Sequence, residues 1–324
     1  MTDANKMFNY IIYHEGCPDG FTGYFIATLS NRLTSDVIVA GSSPHNTRPP
    51  NNIKGSDIII IDVAFSRDVL EIIIKEAKSV VFIDHHISIK NDVQALYEKY
   101  NKSDNIKIIY NESCCASLLA WHYFFGDKKM PVFLKYINDN DIGEWKYPKT
   151  KPFMMAFNIY YRKDTKRNNI ENWHTLLDKK RVSKLVKIGQ YMTVYNEHII
   201  SINVEKHTLK KFPSQKVYDM APENFNKLGQ YTVAVYCGHN CPSVTEIGNE
   251  ALKRFQHLDF CMLWVYNLDK KQYIISMRSK KVDVQKIAKI FGFGGHKGAA
   301  AFSIFSKNLT IDDLFYYKNE NKNI

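Results

Sequence analysis

Apolar residues in the first half of the chain come in short unbroken runs separated by amphipathic stretches. Asp57 to Asp62 reads DIIIID and Ser79 to Asp84 reads SVVFID. Runs this apolar, with no polar alternation, are expected of strands covered on both faces. Asn9 to Tyr13, Asp36 to Ala40 and Ile106 to Tyr110 are shorter β-rich runs. Between them, Phe21 to Asn31, Arg67 to Lys78 and Cys115 to Phe125 carry apolar residues at helical spacing. Strands alternating with helices predict an α/β fold with a parallel, doubly wound sheet.

The pattern changes near Lys151. No buried strand is predicted from there to Lys211, and Asn172 to Lys211 reads as a long, basic, amphipathic helix. Strand character returns at Tyr231 to Tyr236, Cys261 to Asn267 and Gln272 to Arg278. Val284 to Phe291 is a short predicted helix leading into a Gly-rich turn. The expected organisation is a first α/β domain over 1–150 and a helical linker over 151–224. A smaller α/β domain follows over 225–312, with an Asn/Lys-rich tail that frays over 313–324.

Composition narrows the classes. The chain has 324 residues, 45% apolar and 13% aromatic, which supplies full cores and excludes disordered, collagen-like and disulfide-stapled chains. Its net charge is +11, and 162–187 alone holds nine basic and three acidic residues. That surplus suits an anionic partner such as nucleic acid, nucleotide or polyphosphate. The six cysteines include an adjacent pair, Cys114 and Cys115, and a Cys237-x-x-x-Cys241 with no second pair at zinc-finger spacing. They read as thiols of a reducing compartment. The start is polar and no apolar run approaches the ~18 residues of a membrane span. The expectation is a soluble cytoplasmic protein without membrane contact. The pattern is compatible with a monomer or an oligomer.

Chemistry gathers where strands end. His14 follows the first strand and Asp19 lies in the turn after it; Asp62 ends DIIIID; Asp84, His85 and His86 end SVVFID. In an open parallel sheet the carboxyl ends of the strands border the ligand crevice. Imidazole nitrogens with carboxylate oxygens suit Mn²⁺, and also Mg²⁺, Fe²⁺ or Zn²⁺. A cation among them would offset the repulsion between carboxylates. Taken singly, each Asp also fits a helix N-cap. Asp139-Asn140-Asp141-Ile142-Gly143-Glu144-Trp145 is an acidic loop that could return to the same crevice. In the second domain, Gly294, Gly295, His296 and Lys297 offer backbone N–H groups and charge to a phosphate. Arg278 offers a guanidinium fork.

Together these segments resemble the DHH/DHHA1 phosphoesterase superfamily. YHEGCPDGF (13–21), IIIIDVAFS (58–66), FIDHH (82–86) and DNDIGEW (139–145) look like its first four motifs, in order. ISMRSKKVDVQKIAKIFGFGGHKGAAAF (275–302) resembles the DHHA1 signature, and TEIGNEAL (245–252) is similar to the branch with the Cys-Pro-Asp-Gly-Phe variant. The resemblance implies a DHH domain holding two Mn²⁺ ions on His14, Asp19, Asp62, His85 and Asp141, with Asp62 bridging. The charge of a phosphodiester adds expected catalytic roles for His86 and Asp84, with His86 or a water protonating the leaving oxygen. The resemblance also implies phosphate contacts from Arg278, Gly294, Gly295 and His296, with Lys297 beside them. The commoner first motif is Asp-x-Asp-Gly; here Cys17 stands at the first Asp, so one ion loses a carboxylate. The Cys17 thiolate, Glu15, Asp139 or water could take its place, or that site binds weakly. Phe293 interrupts the glycine run.

The implied reaction is hydrolysis of phosphodiester bonds in short oligonucleotides or single-stranded ends. The alternatives are a phosphohydrolase of polyphosphate or small or cyclic nucleotides, and a catalytically weakened nucleic-acid-binding module. Phe293, Tyr160, Tyr161 and Trp145 are candidate stacking platforms for bases.

Overall fold

The computed structural model describes residues 6–44, 46–100, 102–166, 169–220, 230–238 and 243–316. Two units divide the chain, Met1–Thr193 and Val194–Ile324.

The first unit is the expected parallel sheet. Its strands are β1 (Phe8–His14), β2 (Leu33–Ser42), β3 (Asp57–Ile61), β4 (Ser79–Asp84) and β5 (Ile106–Tyr110), in the order β2-β1-β3-β4-β5 and all parallel. The helices are α1 (Pro18–Leu29), α2 (Arg67–Glu76), α3 (Lys90–Tyr100), α4 (Ala116–Phe125), α5 (Val132–Asp141) and α6 (Thr150–Tyr160). The unalternating runs now have their reason. Side chains alternate across a strand, so Ile59, Ile61, Val81 and Ile83 enter a core with α1, α4, α5 and α6. Ile58, Ile60, Val80 and Phe82 enter a second core with α2 and α3 on the other face.

The chain leaves β1 toward β2 at one edge, then crosses back to lay β3, β4 and β5 on the other side of β1. The order of strand addition therefore reverses between β1 and β3, where ligands collect in open α/β sheets.

The expected boundary at 150 does not hold as a packing boundary. Phe153, Met154, Phe157, Tyr161, Trp173, Val182, Leu185 and Val186 belong to the core of the first unit. The long helix predicted over 172–211 is α7 (Lys179–Val204), preceded by 3-10 turns at Arg162–Lys166 and Glu171–Leu177. The break between units falls inside α7. After it comes a strand where helix was expected, β6 (Thr208–Phe212), because its backbone pairs antiparallel with the next strand.

The second unit holds β6, α8 (Gln215–Met220), β7 (Tyr231–Cys237), α9 (Val244–Arg254), β8 (Phe260–Asn267) and β9 (Gln272–Ser279). It continues through α10 (Val284–Ile290), β10 (Gly295–His296) and β11 (Ala299–Phe305). These make one mixed sheet, ordered β10-β11-β9-β8-β7-β6. Val233, Met262, Ile275 and Met277 face α8 and α10, while Ala234, Cys261 and Leu263 face α9. Cys241 and residues 317–324 of the expected tail lie outside the described residues. Cys17, Cys114, Cys115, Cys237 and Cys261 form no disulfide. Among the described residues no helix is long and apolar enough to cross a membrane.

Candidate metal centre

His14 is the last residue of β1, Asp62 follows β3, and His85 follows β4. Because β1, β3 and β4 are adjacent, their carboxyl ends place these side chains together at the switch point. His14 Nδ1 lies 3.2 Å from Asp62 Oδ2. His85 Nε2 lies 3.4 Å from Asp62 Oδ1, 3.2 Å from Asp141 Oδ2 and 3.9 Å from Asp19 Oδ2. Asp141 arrives from the last residue of α5, and Asp19 from the first turn of α1. All five residues expected to ligate metal are thereby brought together.

Local sequence explains the approach of α1. Cys17 holds the N-cap position without a side-chain cap and Pro18 occupies the first turn, where a missing N–H costs nothing. A Cβ at Gly20 would lie 2.6 Å from both the Cβ and the carbonyl oxygen of His14, so only glycine lets α1 start beneath the end of β1.

The electrostatics are those of crowded carboxylates. Burial would push Asp62 up, but its contacts with His14 and His85 and the charge of His86 hold it well below the usual range. Burial and then Asp62 raise Asp141 to about 6. Burial, Asp62 and Asp141 push Asp19 well above its ordinary value. Burial disfavours the charged form of His85, yet Asp62, Asp19 and Asp141 raise it to about 9. Asp62 has φ +68°, a left-handed conformation that costs a non-glycine residue on the order of 1–3 kcal/mol. It is 1% exposed, and its Oδ1 accepts no hydrogen bond; the nearest imidazoles stand only at ion-pair distance.

The donors form three overlapping groups, His14–Cys17–Asp62, Asp62–His85–His86 and Asp19–His85–Asp141, with atoms inside each within 4.8 Å of one another. Ligands of a transition ion sit ~2.1 Å from it, hence ~3–3.5 Å apart. The 3.2–3.4 Å separations among His14, Asp62, His85 and Asp141 and the orphaned Asp62 oxygen fit such ions, with Asp19 standing slightly farther off at 3.9 Å. Asp62 is common to two groups and directs one oxygen at His14 and the other toward His85 and His86.

His85 and His86 stand side by side just past the end of β4. Their rings lie 4.6 Å apart at 49°. Asp84 Oδ1 accepts from the backbone N–H of His85 at 2.6 Å and of His86 at 2.9 Å, and lies 2.7 Å from His86 Nδ1. That contact with Asp84 raises His86 above its ordinary value. Asp84 is fully buried; its contacts orient His86.

Three expectations are corrected. Asp139 does not join the cluster: Lys146 and Tyr147 donate backbone N–H groups to it at 2.7 and 3.1 Å, and the Thr150 hydroxyl donates as well. Glu15 is exposed, with its stem against Gly41. Tyr161 is no stacking platform, being fully buried against Phe157, whereas Trp145, Tyr160 and Phe293 are exposed.

Asp19 carries a second role that the sequence did not disclose. It accepts the N–H of Ala116 at 2.8 Å and of Ser117 at 3.0 Å, together with the Ser117 hydroxyl. It therefore caps α4 from a residue 97 positions away.

In the second unit, Arg278 stands near the end of β9, paired with Ala299 and Cys261. Its Nη1 donates to the Met277 carbonyl at 2.8 Å and its Nη2 to Thr245 Oγ1 at 2.7 Å. Gly248 leaves room for its stem: a Cβ there would lie 2.8 Å from Arg278 Cγ. Thr245 and Gly248 are thus the structural content of the TEIG segment. Gly294, Gly295, His296 and Lys297 are exposed. Gly295 (φ +146°) crosses closely over Ala299 and Ala300, and its carbonyl accepts from Gln285 at 2.7 Å.

Residues 242–312 match the family model of the DHHA1 domain. That match supports the resemblance to the DHH/DHHA1 phosphoesterase superfamily over the second unit. An uncharacterized protein of Acanthamoeba polyphaga mimivirus is 28% identical over 319 residues, spanning 92% of this chain and 69% of the relative. Among solved structures, the pGpG-specific phosphodiesterase PggH from Vibrio cholerae is 10% identical, with TM-score 0.48 and coverage of 93% of this chain and 94% of that one. Exonuclease RecJ bound to manganese is 14% identical, with TM-score 0.42 and coverage of 92% and 86%. Arg278 and the 294–297 turn fall inside the matched segment and the His/Asp cluster falls outside it.

Proposed function

We propose that this protein is a divalent-metal-dependent phosphodiesterase of the DHH/DHHA1 kind, acting on short oligonucleotides or single-stranded nucleic-acid ends. The carrying observation is the convergence of His14, Asp19, Asp62, His85 and Asp141 around a buried Asp62 oxygen that no protein group satisfies. His14, Asp62, His85, Asp19 and Asp141 would hold two ions, with Asp62 shared. When bound, the ions would neutralise the carboxylates, polarise a phosphoryl oxygen and acidify a water.

The remaining work falls to side chains. Asp84 fixes the His86 ring through Nδ1, which leaves Nε2 as the atom able to hand a proton to a leaving oxygen. Asp84 is a positioning residue in this reading. Its contact keeps His86 protonated at higher pH than a free imidazole. Arg278, held by Thr245 and the Met277 carbonyl, would grip a non-reacting phosphate with its remaining donors, joined by the 294–297 turn. The +11 net charge of the chain suits a polyanionic substrate.

An activity panel tests the reading: dinucleotides, longer single strands, cyclic dinucleotides and polyphosphate, each with Mn²⁺, with Mg²⁺ and with EDTA. Metal-dependent release of nucleoside monophosphates from dinucleotides or strand ends is expected. Hydrolysis of polyphosphate alone would reassign the substrate, and strand binding without hydrolysis would leave a binding module.

A further inference from the structure

The cluster in the first unit contains one donor of a different chemical kind. Cys17 stands at the amino end of α1 with φ −97° and ψ 129°, and its side chain makes no capping hydrogen bond. Its Sγ, a His14 ring nitrogen and an Asp62 carboxylate oxygen lie within 4.8 Å of one another. Asp62 is almost wholly buried, with an oxygen lacking any hydrogen-bond partner, and its backbone is held in the left-handed region. These are features of a preformed ligand set.

The two carboxylates that could replace a missing oxygen donor are placed elsewhere. Asp139 is committed to Lys146, Tyr147 and Thr150. Glu15 is exposed with its stem along Gly41. Cys115, the other buried thiol nearby, lies 3.2 Å from the Ser117 hydroxyl and falls in none of the three donor groups. Among the described residues, Cys17 alone supplies sulfur to the cluster.

We propose that Cys17, His14 and Asp62 form a mixed sulfur–nitrogen–oxygen site that selects a borderline-soft divalent ion, such as Zn²⁺ or Co²⁺, over Mn²⁺ and Mg²⁺. Asp19, His85 and Asp141 offer only nitrogen and oxygen and retain the preference for a harder ion. The two positions of the centre are therefore chemically unequal, and a mixed-metal form is the filled state. The thiol gives up its proton to solvent as the ion binds, so loading the sulfur site releases a proton. This inference rests on the two-ion reading above and adds metal selectivity to it.

Cobalt titration of the full-length, metal-free protein tests it by absorbance, independently of turnover. The wild type should develop a sulfur-to-cobalt charge-transfer band in the near ultraviolet. Cys17→Ser should abolish that band, while Cys114→Ser and Asp141→Asn keep it. Competition with a chromophoric chelator should show Zn²⁺ bound at least ~10–100-fold more weakly by Cys17→Ser, since loss of even an outer-shell partner costs that much. Two cobalt ions bound with no sulfur band would overturn the proposal and leave the two-ion reading standing. No cobalt bound at all would overturn both. Should Cys17→Ser fail to fold, alkylation of wild-type protein by iodoacetamide, read by mass spectrometry, gives the same decision. Zn²⁺ should protect Cys17, and a Cys17 modified equally with and without Zn²⁺ would overturn the assignment.

Discussion

Asp19 and Asp141 both reach the His85 imidazole, yet their replacement should have opposite effects on the metal-free protein. Asp19→Ala strips the N–H groups of Ala116 and Ser117 of their acceptor at the start of α4. The Ser117 hydroxyl can turn to Cys115 Sγ, already 3.2 Å away, but the two buried amides have no such recourse. A buried donor left unsatisfied costs ~1–3 kcal/mol, which puts the pair at ~2–6 kcal/mol. Loss of an N-cap by itself costs ~0.5–2 kcal/mol, so the lower half of that range, ~3 kcal/mol, is the sound expectation. Relief of repulsion from Asp62 and Asp141, which now push Asp19 up, acts in the other direction and also favours the lower half. For a unit of this size ~2–4 °C per kcal/mol converts the loss to a fall in Tm of ~6–12 °C. Asp141 accepts no amide; its contact is with His85 at 3.2 Å, and Asp62 repels it. Asp141→Ala should therefore unfold within ~2 °C of wild type, or above it. Thermal unfolding followed by far-ultraviolet circular dichroism in EDTA, then with excess Mn²⁺, separates the effects. Both variants should lose part of the Mn²⁺-dependent rise in Tm, because linkage needs the ligands. An Asp19→Ala protein as stable in EDTA as wild type would refute the capping role, as would an Asp141→Ala protein that falls equally far.

Asp62→Asn should abolish metal-dependent hydrolysis by several orders of magnitude and remove tight binding of at least one ion by calorimetry, since it takes away the carboxylate common to two donor groups; wild-type turnover in the variant would end the two-ion reading. Arg278→Ala should raise KM more than it lowers kcat, because grip on a non-reacting phosphate is uniform binding, and Thr245→Val should do the same more weakly through the lost hydrogen bond; an unchanged KM on every cleaved substrate removes both from the site. In the second unit, Lys216 and the Thr310 N–H and hydroxyl hold Asp313 down to about 2. A carboxyl lowered in the folded state stabilises above its unfolded pKa and loses that effect as pH falls through the folded one, so wild type should lose Tm more steeply than Asp313→Asn between pH ~4 and ~2; parallel curves would refute the pairing.

What the amino-acid pattern revealed and what it concealed divide along physical lines. The parallel sheet was legible because both of its faces are covered, so DIIIID and SVVFID lose polar alternation while Ile58 and Ile59 still enter different cores. The His/Asp cluster was legible for the same reason: a polar residue ending such a run has only the carboxyl edge to occupy. Strand β6 was hidden because Thr208–Phe212 exposes most of its side chains and owes its conformation to pairing with β7. Helix α3 buries only Val93 and Leu96, too few for a visible stripe. The cap of α4 by Asp19 was invisible because the partners lie 97 residues apart and neither segment alone demands the other. Asp139 was a readable error. Two residues along an α-helix turn through ~200°, so Asp139 and Asp141 cannot face the same crevice from α5. The one on the sheet side meets His85, and the other must find donors in the following turn, as it does at Lys146, Tyr147 and Thr150. That geometry also removes Asp139 as the substitute for a carboxylate at position 17. The proposed mixed-donor site therefore draws on the side chain the first motif has at that position, the thiol of Cys17.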